Sequence, residues 1–529
     1  MCGIAGRLGV GATKENVRKM SEAIAHRGPD HSGLWLGEGV ALAHQRLAII
    51  DVVGGVQPMV SASGRWILIF NGEIYNFQDL KTGPLSHYHY KTQSDTEVIL
   101  AALEAWEGDA VGHLEGMFAI AAWDTQRQRL LLARDGQGIK PVYFSKISGD
   151  FVFGSEVSAL LAAGLRPEVD ESILDVFLDL RFVPSPNTLF TGVKKLPPGH
   201  RVWIDADGSV GELCPFDFHA PLIKRVGSKC DLINQTLHAF MDAVERQMVA
   251  DVPIGVLLSG GIDSGAVAAA AIRSRASVST FCVGYTENHS SNEFEEARRT
   301  AELLGTDHHE LQIDTKSAMN IMPVVVRHLE EPVVTSSCFS FFLLCETVAK
   351  HRKVVLSGQG ADEPWGGYGR HQVAALSAIL APIIFSANKL LPSSMNTNDA
   401  WKRLLEAFSS TEEIEKIIGL HTLFPGQDRD RIRKTNGNCE THSYLQPLLK
   451  ALPANGTFLE RLLALEVRSS LADNLLLVGD KLSMASGLEV RVPLLDPIYL
   501  KKVESIPGSL RRGGLFSQHG KMLHKLICG

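Results

Sequence analysis

Leu258-Ser259-Gly260-Gly261-Ile262-Asp263-Ser264 lies between an apolar run, Val252-Pro253-Ile254-Gly255-Val256-Leu257, and an alanine-rich run from Ala266 to Ile272. That order predicts a strand, a glycine turn and a helix. Glycines let the backbone take positive φ and come close to a ligand. The turned N–H groups and the helix N-terminus then form an anion site. Ser259 and Ser264 offer hydroxyl donors, and Asp263 can hold a divalent cation between phosphate oxygens. The spacing is neither that of the P-loop nor that of the dinucleotide fingerprint.

Strands and helices alternate beyond this loop. Residues 278–285 read as a strand, 293–304 as a charged amphipathic helix and 307–311 as the start of the next strand. His308 and His309 lack a third ligand at metal spacing, so they read as part of that strand. Residues 353–363 form a second apolar strand running into a glycine loop, followed by Gly366-Gly367-Tyr368. Such alternation predicts a parallel sheet, and open parallel sheets bind ligands at the carboxyl ends of their strands. The loops at 258–264 and 357–363 therefore face one nucleotide, with Asp263 and Asp362 as paired oxygen ligands for magnesium (Mg2+).

A chain of 529 residues allows two to four domains. Its 45% hydrophobic and 21% charged residues are those of a globular protein. A net charge of −7 gives no electrostatic reason to expect nucleic acid as a partner. No stretch reaches the ~18 apolar residues of a membrane span; the best candidate, 373–384, reads as a core or interfacial helix. No basic segment precedes the apolar start, so no signal peptide is expected and the expected location is cytoplasmic. Eight cysteines without close metal-ligand spacing fit a reducing compartment.

Cys2 differs from the others by position. Once Met1 is removed, its α-amino group lies beside its thiol and can act as the general base for it. Further on, the strand 66–70 ends in Asn71-Gly72-Glu73-Ile74-Tyr75-Asn76. An amide side chain beside a glycine N–H suits an oxyanion hole. Ser94-Asp95-Thr96-Glu97 heads an amphipathic helix and has a capping explanation of its own. Prolines and glycines across 168–201 mark a crossover, and 202–212 reads as a hairpin around Asp207-Gly208.

The blocks Cys2-Gly3-Ile4, His26-Arg27-Gly28-Pro29-Asp30, Arg46-Leu47, Asn71 to Asn76 and Ser94 to Glu97 resemble, in order, the class-II glutamine amidotransferase domain. So do Gly116 to Ala119, Ala133-Arg134-Asp135, Gly138 to Pro141 and Gly154-Ser155-Glu156. Residues 258–264 resemble the pyrophosphate loop of ATP pyrophosphatases. With Glu331-Pro332, 355–368 and 483–496 they resemble the synthetase domain of the glutamine-hydrolysing asparagine synthetase family. The resemblance implies an α/β multidomain protein. Its N-terminal part is an αββα sandwich of antiparallel sheets of the N-terminal-nucleophile type. Its C-terminal part is a doubly wound parallel-sheet adenylating domain. The expected boundaries are 2–198 for the glutaminase domain, 199–230 for a linker and 231–529 for the synthetase domain.

The resemblance also implies roles. Cys2 attacks the glutamine amide, with Asn71 and Gly72 as the oxyanion hole. Arg46 holds the glutamine α-carboxylate, Glu73 and Asp95 its α-ammonium, and backbone from Leu47 through Ala48 and Ile49 to Ile50 lines the pocket. Leu258, Ser259, Gly260, Gly261, Asp263, Ser264, Val283, Ser357 and Gly358 contact ATP. ATP activates a carboxylate acceptor as an acyl-adenylate, and ammonia from glutamine then displaces AMP through a shielded channel. The expected partners are small molecules (glutamine, ATP and the acceptor) with neither nucleic acid nor membrane, and a homodimer is compatible with the reading.

Three departures bear on this. Gln359 lies where asparagine synthetase usually has a glutamate near the reacting centre, and a neutral amide cannot serve as a carboxylate base. Aspartate is the acceptor the family resemblance implies, whereas Gln359 and the divergent region 370–460 favour the alternative, a carboxylate on a sugar, peptide or secondary metabolite. Asn292-Glu293 replaces an acidic pair, and Gly265 replaces a second serine; neither removes a phosphate ligand. The C-terminal segment is shorter than the family's, and either Lys521 or Lys525 matches the lysine that assists adenylation. Intact Cys2, Asn71, Asp263 and Asp362 argue against a degenerate interaction protein, and Cys2 argues against a β-lactam-forming relative.

Overall fold

Cys2–Leu8 is buried along its whole length, because both faces of its sheet are covered. In the computed structural model this strand lies inside a six-stranded antiparallel sheet. The order is Lys194–Lys195, Tyr143–Ile147, Asp150–Gly154, Cys2–Leu8, Val40–Arg46, His31–Gly37. A second six-stranded sheet runs Cys214–Pro215, His200–Asp205, Arg129–Arg134, Gly116–Asp124, Trp66–Ile74, Met59–Val60. The structure describes residues 2–217, 228–275, 277–286, 292–377, 407–408, 410–424, 428, 431–432, 440–512 and 521–528.

Alternation along the strands builds the layers. Ile4, Leu42, Ile67, Ile69, Trp123 and Phe153 meet between the two sheets. The residues of opposite parity face outward onto helices. Ala5 and Val152 pack with Met20 and Ile24, and Leu68 and Phe70 pack with Val98 and Leu103. The result is the αββα sandwich.

The C-terminal half holds a five-stranded sheet in the order Asp307–Ile313, Ser279–Tyr285, Ile254–Leu257, Val354–Leu356, Glu489–Arg491, with every pair parallel. One face, with Val256, Val354 and Leu356, packs on Val244, Val267 and Ala297. The other, with Leu257, Phe281 and Val355, packs on Leu344, Cys345 and Val348 of the helix Ser337–Ala349. Helices on both faces make the sheet doubly wound. The chain turns back between Ile254–Leu257 and Val354–Leu356, and the crevice at such a switch point is where ligands bind.

Two domain boundaries differ from the sequence expectation. The segment assigned to a linker at 199–230 includes His200–Asp205, which pairs with Arg129–Arg134 through five residues of register. Val202 and Ile204 bury into the inter-sheet core, so this strand completes the first domain, and the following helix starts at Lys229. The first domain's expected tail also leaves it. Glu171–Leu180 buries Val176 and Leu180 against Ile417, Leu449, Leu462 and Leu463 of the C-terminal helices. Its apolar stripe finds a core there that the sandwich, already covered by its own helices, does not offer. The expected helix at 373–384 runs into residues outside those described, as does part of the expected linker.

Buried ion pairs hold the halves together. Arg27 is fully buried, with Nη1 donating to Glu156 at 2.8 Å and Nη2 to Asp480 at 2.7 Å. Lys140 Nζ reaches the other oxygen of Asp480 at 3.1 Å. Lys195 pairs with Glu331 at 3.0 Å, and Lys481 with Glu330 at 2.6 Å. Among the described residues no helix is long and apolar enough to cross a membrane.

Candidate functional site

Two centres emerge, one per domain. In the first, antiparallel register places Cys2 opposite Arg46. Asn71, Gly72 and Glu73 come from Trp66–Ile74 in the facing sheet, and Asp95 from the first turn of the helix Asp95–Trp106, capped by Ser94. Cys2, Arg46, Leu47, Ile49, Ile50, Gly72, Glu73 and Asp95 line one small cavity of about 30 Å3. Ala48 is held from outside it, its N–H donating to Asp30 at 2.8 Å.

The oxygen of the Asn71 amide accepts from the Cys2 main-chain nitrogen at 2.9 Å. Its Nδ2 is buried and has no hydrogen-bond partner. A buried donor without a partner is costly, so an oxygen arriving there is stabilised. Gly72 has φ 154°, and a Cβ on it would meet the Met117 carbonyl oxygen at 2.0 Å. Only glycine lets this strand pass so close to its neighbour and keep Asn71 beside Cys2.

Arg46 does not stand free in the pocket. Its guanidinium donates to the carbonyls of Asp51 at 2.7 Å, Val52 at 2.8 Å and Ile50 at 3.3 Å. With about 30 Å3 available, room for a water or two, a glutamine enters only if this loop opens. Burial raises the Cys2 thiol pKa, so a nearby base is needed to ionise it. Met1 lies outside the described residues.

The two acids are perturbed by burial. Glu73 is pushed well above the usual carboxylate range by burial and by neighbouring Asp95, although Arg491 donates to it at 3.1 Å. Burial pushes Asp95 up to about 6, against the N–H of Ile74 at 3.0 Å. A protonated Asp95 carries no charge for an ammonium, and its raised pKa moves that loss to higher pH. The KM for glutamine is thus expected to rise as pH falls through about 6. Glutaminase kinetics between pH 5 and 8 check this, with Asp95→Asn expected to flatten the profile; a wild-type KM that is level across this window would count against it.

The second centre lies at the switch point of the parallel sheet. Ile262–Ser274 follows the glycine turn, with Gly261 as its N-cap residue. The Ser264 hydroxyl does not face outward as a phosphate donor. It accepts from the Ser259 N–H at 3.0 Å, lies 3.0 Å from the Ser259 hydroxyl and 3.1 Å from the Gly261 carbonyl, and so braces the turn from inside. A serine in the first helical turn reaches back to the loop it follows, which is the local hydrogen bonding that short hydroxyl side chains favour. The N–H of Gly260 donates to Glu293 at 3.0 Å, so a carboxylate already occupies one donor of the loop.

Ser357 sits at the end of the neighbouring strand, its N–H held by the Arg491 carbonyl at 2.8 Å. A Cβ on Gly358 would lie 2.7 Å from Ser264 N and 2.9 Å from the Asp263 carbonyl carbon. Backbone atoms cannot turn aside, so the loops abut only with glycine there. Gly358→Ala is expected to raise the KM for ATP by about tenfold or more, equivalent to ~1.4 kcal/mol. ATP–pyrophosphate exchange measures it, and an unchanged KM would argue against the close approach.

Lys521 Nζ lies between Asp263 and Asp362, 2.6 Å from an oxygen of each. His524 approaches the other Asp263 oxygen at 2.8 Å. Burial alone would raise the Asp263 carboxyl, but hydrogen bonding from His524 and the Lys521 charge hold it below its ordinary value. Burial opposes the Lys521 charge, and the two aspartates outweigh it and keep the ammonium protonated. The two carboxylates are of the type magnesium takes, one or two together with phosphate oxygens, and a metal held by both requires the Lys521 ammonium to move out from between them. Lys525 is exposed.

A cavity of about 450 Å3 opens beside these loops. Val283, Gln359 and Glu363 line it, the last two from the loop 357–363, together with residues that carried no sequence signal for this site: Arg181, His421 and Asn474. Arg181 belongs to the crossover, and Asn474 to a π-helical turn, Leu471–Leu476, a geometry frequent at functional sites. A Cβ on Gly479 would lie 3.3 Å from Gln359 Oε1, so Gln359 faces the helix Leu477–Met484. That helix carries Asp480 and hence the contact with Arg27, which also donates to the Cys2 carbonyl at 3.2 Å.

The glutamine amidotransferase domain family matches residues 1–213, and the asparagine synthase family matches residues 235–526. Glutamine-hydrolyzing asparagine synthetase 1 of Bacillus subtilis (strain 168) is 31% identical over 506 residues, covering 94% of this chain and 79% of that protein. Glutamine-hydrolyzing asparagine synthetase 3 of the same organism is 30% identical over 534 residues, covering 97% and 82%. Glutamine-hydrolyzing asparagine synthetase 2 of Oryza sativa subsp. japonica is 33% identical over 395 residues, covering 70% and 60%.

Proposed function

The chain belongs to the glutamine-hydrolysing asparagine synthetase family, a group of carbon–nitrogen ligases with glutamine as nitrogen donor, and from that premise we propose that it converts aspartate to asparagine. The reading divides the chemistry between the two centres. At the first, the Cys2 thiolate attacks the glutamine side-chain carbonyl, with the freed α-amine as base. The oxyanion is received by Asn71 Nδ2 and the Gly72 N–H. Arg46 exchanges loop carbonyls for the substrate carboxylate, and Glu73 and Asp95 hold its ammonium. Ammonia and glutamate are the products.

At the second centre, the acceptor carboxylate attacks the α-phosphate of ATP, and pyrophosphate leaves from the loop at 258–264. Lys521 offers its ammonium to the developing phosphate charge, and Asp263 and Asp362 orient it. Magnesium, held by the same two aspartates, would neutralise the leaving pyrophosphate. Leu258, Ser259, Ser357 and Gly358 border the nucleotide, and Val283 lies on the cavity side. Ammonia then displaces AMP from the acyl-adenylate.

The observation that most directly supports the adenylating half is Lys521 between Asp263 and Asp362 at the switch point. The test is ATP–pyrophosphate exchange with a panel of carboxylates, beginning with aspartate, succinate and glutamate. Exchange with aspartate and asparagine formation with glutamine are expected. Exchange with another acid and not with aspartate would overturn the acceptor assignment.

A further inference from the structure

Glu363 is a buried carboxyl that the chemistry above leaves unused. It is the second residue of the short helix Asp362–Trp365, four residues after Gln359, and both line the 450 Å3 cavity. One oxygen accepts from the Tyr368 hydroxyl at 2.7 Å. The other, Oε2, is buried and has no hydrogen-bond partner. The residue is 3% exposed. A carboxylate oxygen kept dry and unpartnered beside a substrate-sized cavity is costly unless a donor is to meet it there.

The amide-forming step creates such a donor. When the ammonia nitrogen attacks the acyl carbon, its lone pair becomes the C–N bond and the nitrogen becomes positively charged. One N–H proton must leave before the C–O bond to AMP breaks, or the nitrogen is expelled instead. Gln359, being a neutral amide, cannot take it. We propose that Glu363 Oε2 accepts this proton, with Tyr368 fixing the carboxylate by its bond to Oε1, so that Glu363 supplies the base for amide formation. AMP then leaves with the C–O bonding electrons, and the proton on Glu363 returns to solvent.

The basic side chains nearby are engaged elsewhere. Arg370 is bound to Glu466 through two bonds, at 2.7 and 2.9 Å, and His371 lies 2.8 Å from the same carboxylate. Arg511, on the packed helix Gly508–Arg512, donates to the Pro364 carbonyl at 2.8 Å.

The proposal rests on the adenylation reading, and its test separates the two. In Glu363→Gln, ammonium-dependent amide formation is expected to fall about 100-fold or more, while ATP–pyrophosphate exchange falls far less. Tyr368→Phe, which removes the bond that fixes Oε1, is expected to lower amide formation about tenfold with exchange near the wild-type rate. Undiminished amide formation by Glu363→Gln with exchange intact would overturn the role of Glu363 alone. Parallel loss of exchange and amide formation would also overturn it, by assigning the residue to adenylation or folding. Absence of wild-type exchange with every carboxylate would overturn the adenylation reading itself, and the role of Glu363 with it.

Discussion

Cys2→Ala abolishes glutamate release from glutamine, while added ammonium still supports amide formation. The expected loss of glutaminase turnover is on the order of 10^4-fold or more, the scale on which removal of a covalent nucleophile acts. Among the described residues no other thiol can substitute, because Cys2 is the cysteine lining the pocket, with Asn71, Glu73 and Asp95 around it. The remaining described cysteines lie elsewhere in the fold: Cys282, Cys338 and Cys345 are buried in the C-terminal half, Cys528 is partly buried beside His524, and Cys214 and Cys230 are exposed. The substitution is expected to be mild for folding, since alanine fits the same strand and what is lost is the weak contact of the Sγ with the Leu47 backbone. Glutamate release and ammonium-supported synthesis, measured on one preparation, give the answer. Wild-type glutaminase activity in the variant would place the nucleophile elsewhere.

Asp263→Asn produces the complementary loss. ATP–pyrophosphate exchange is expected to fall roughly 10^3-fold or more, because the residue holds the ammonium of Lys521 and, in the function proposed, would hold the magnesium of the nucleotide. Asparagine keeps the shape and the bond to His524, but it removes one of the two charges that hold Lys521 at 2.6 Å. Lys521 keeps Asp362, so the change is not expected to unfold the site, and a melting curve close to the wild type's would show that. Glutaminase activity should persist, since Asp263 does not line the pocket of Cys2. Normal exchange in a folded Asp263→Asn protein, with the acceptor saturating, would exclude the assignment.

The legibility of the two centres differed with the range of the interactions that build them. The turn at 258–264 was readable because its geometry is local. Glycines permit the close backbone, the apolar run before it makes the strand and the alanines after it make the helix. What that reading missed was the direction of the Ser264 hydroxyl, which bonds back to Ser259 within the same turn. The pocket of Cys2 was readable as a set of residues but not as a closed volume, since the hold of Arg46 on the carbonyls of residues 50–52 depends on how the loop folds back.

The sequence by itself determined the two chemistries and the order of their domains, because each is written in short stretches whose backbone needs are satisfied within a few residues. Only the tertiary structure decided which lysine meets the aspartates, since Lys521 and Asp263 are 258 residues apart. It also decided that Arg27 and Asp480, 453 residues apart, join the halves, and that Arg181 of the crossover lines the 450 Å3 cavity beside the loops. Residues so far apart carry no local propensity for each other. They meet because the sandwich and the parallel sheet each bury an apolar face, and the charges left at their junction must pair once water is excluded.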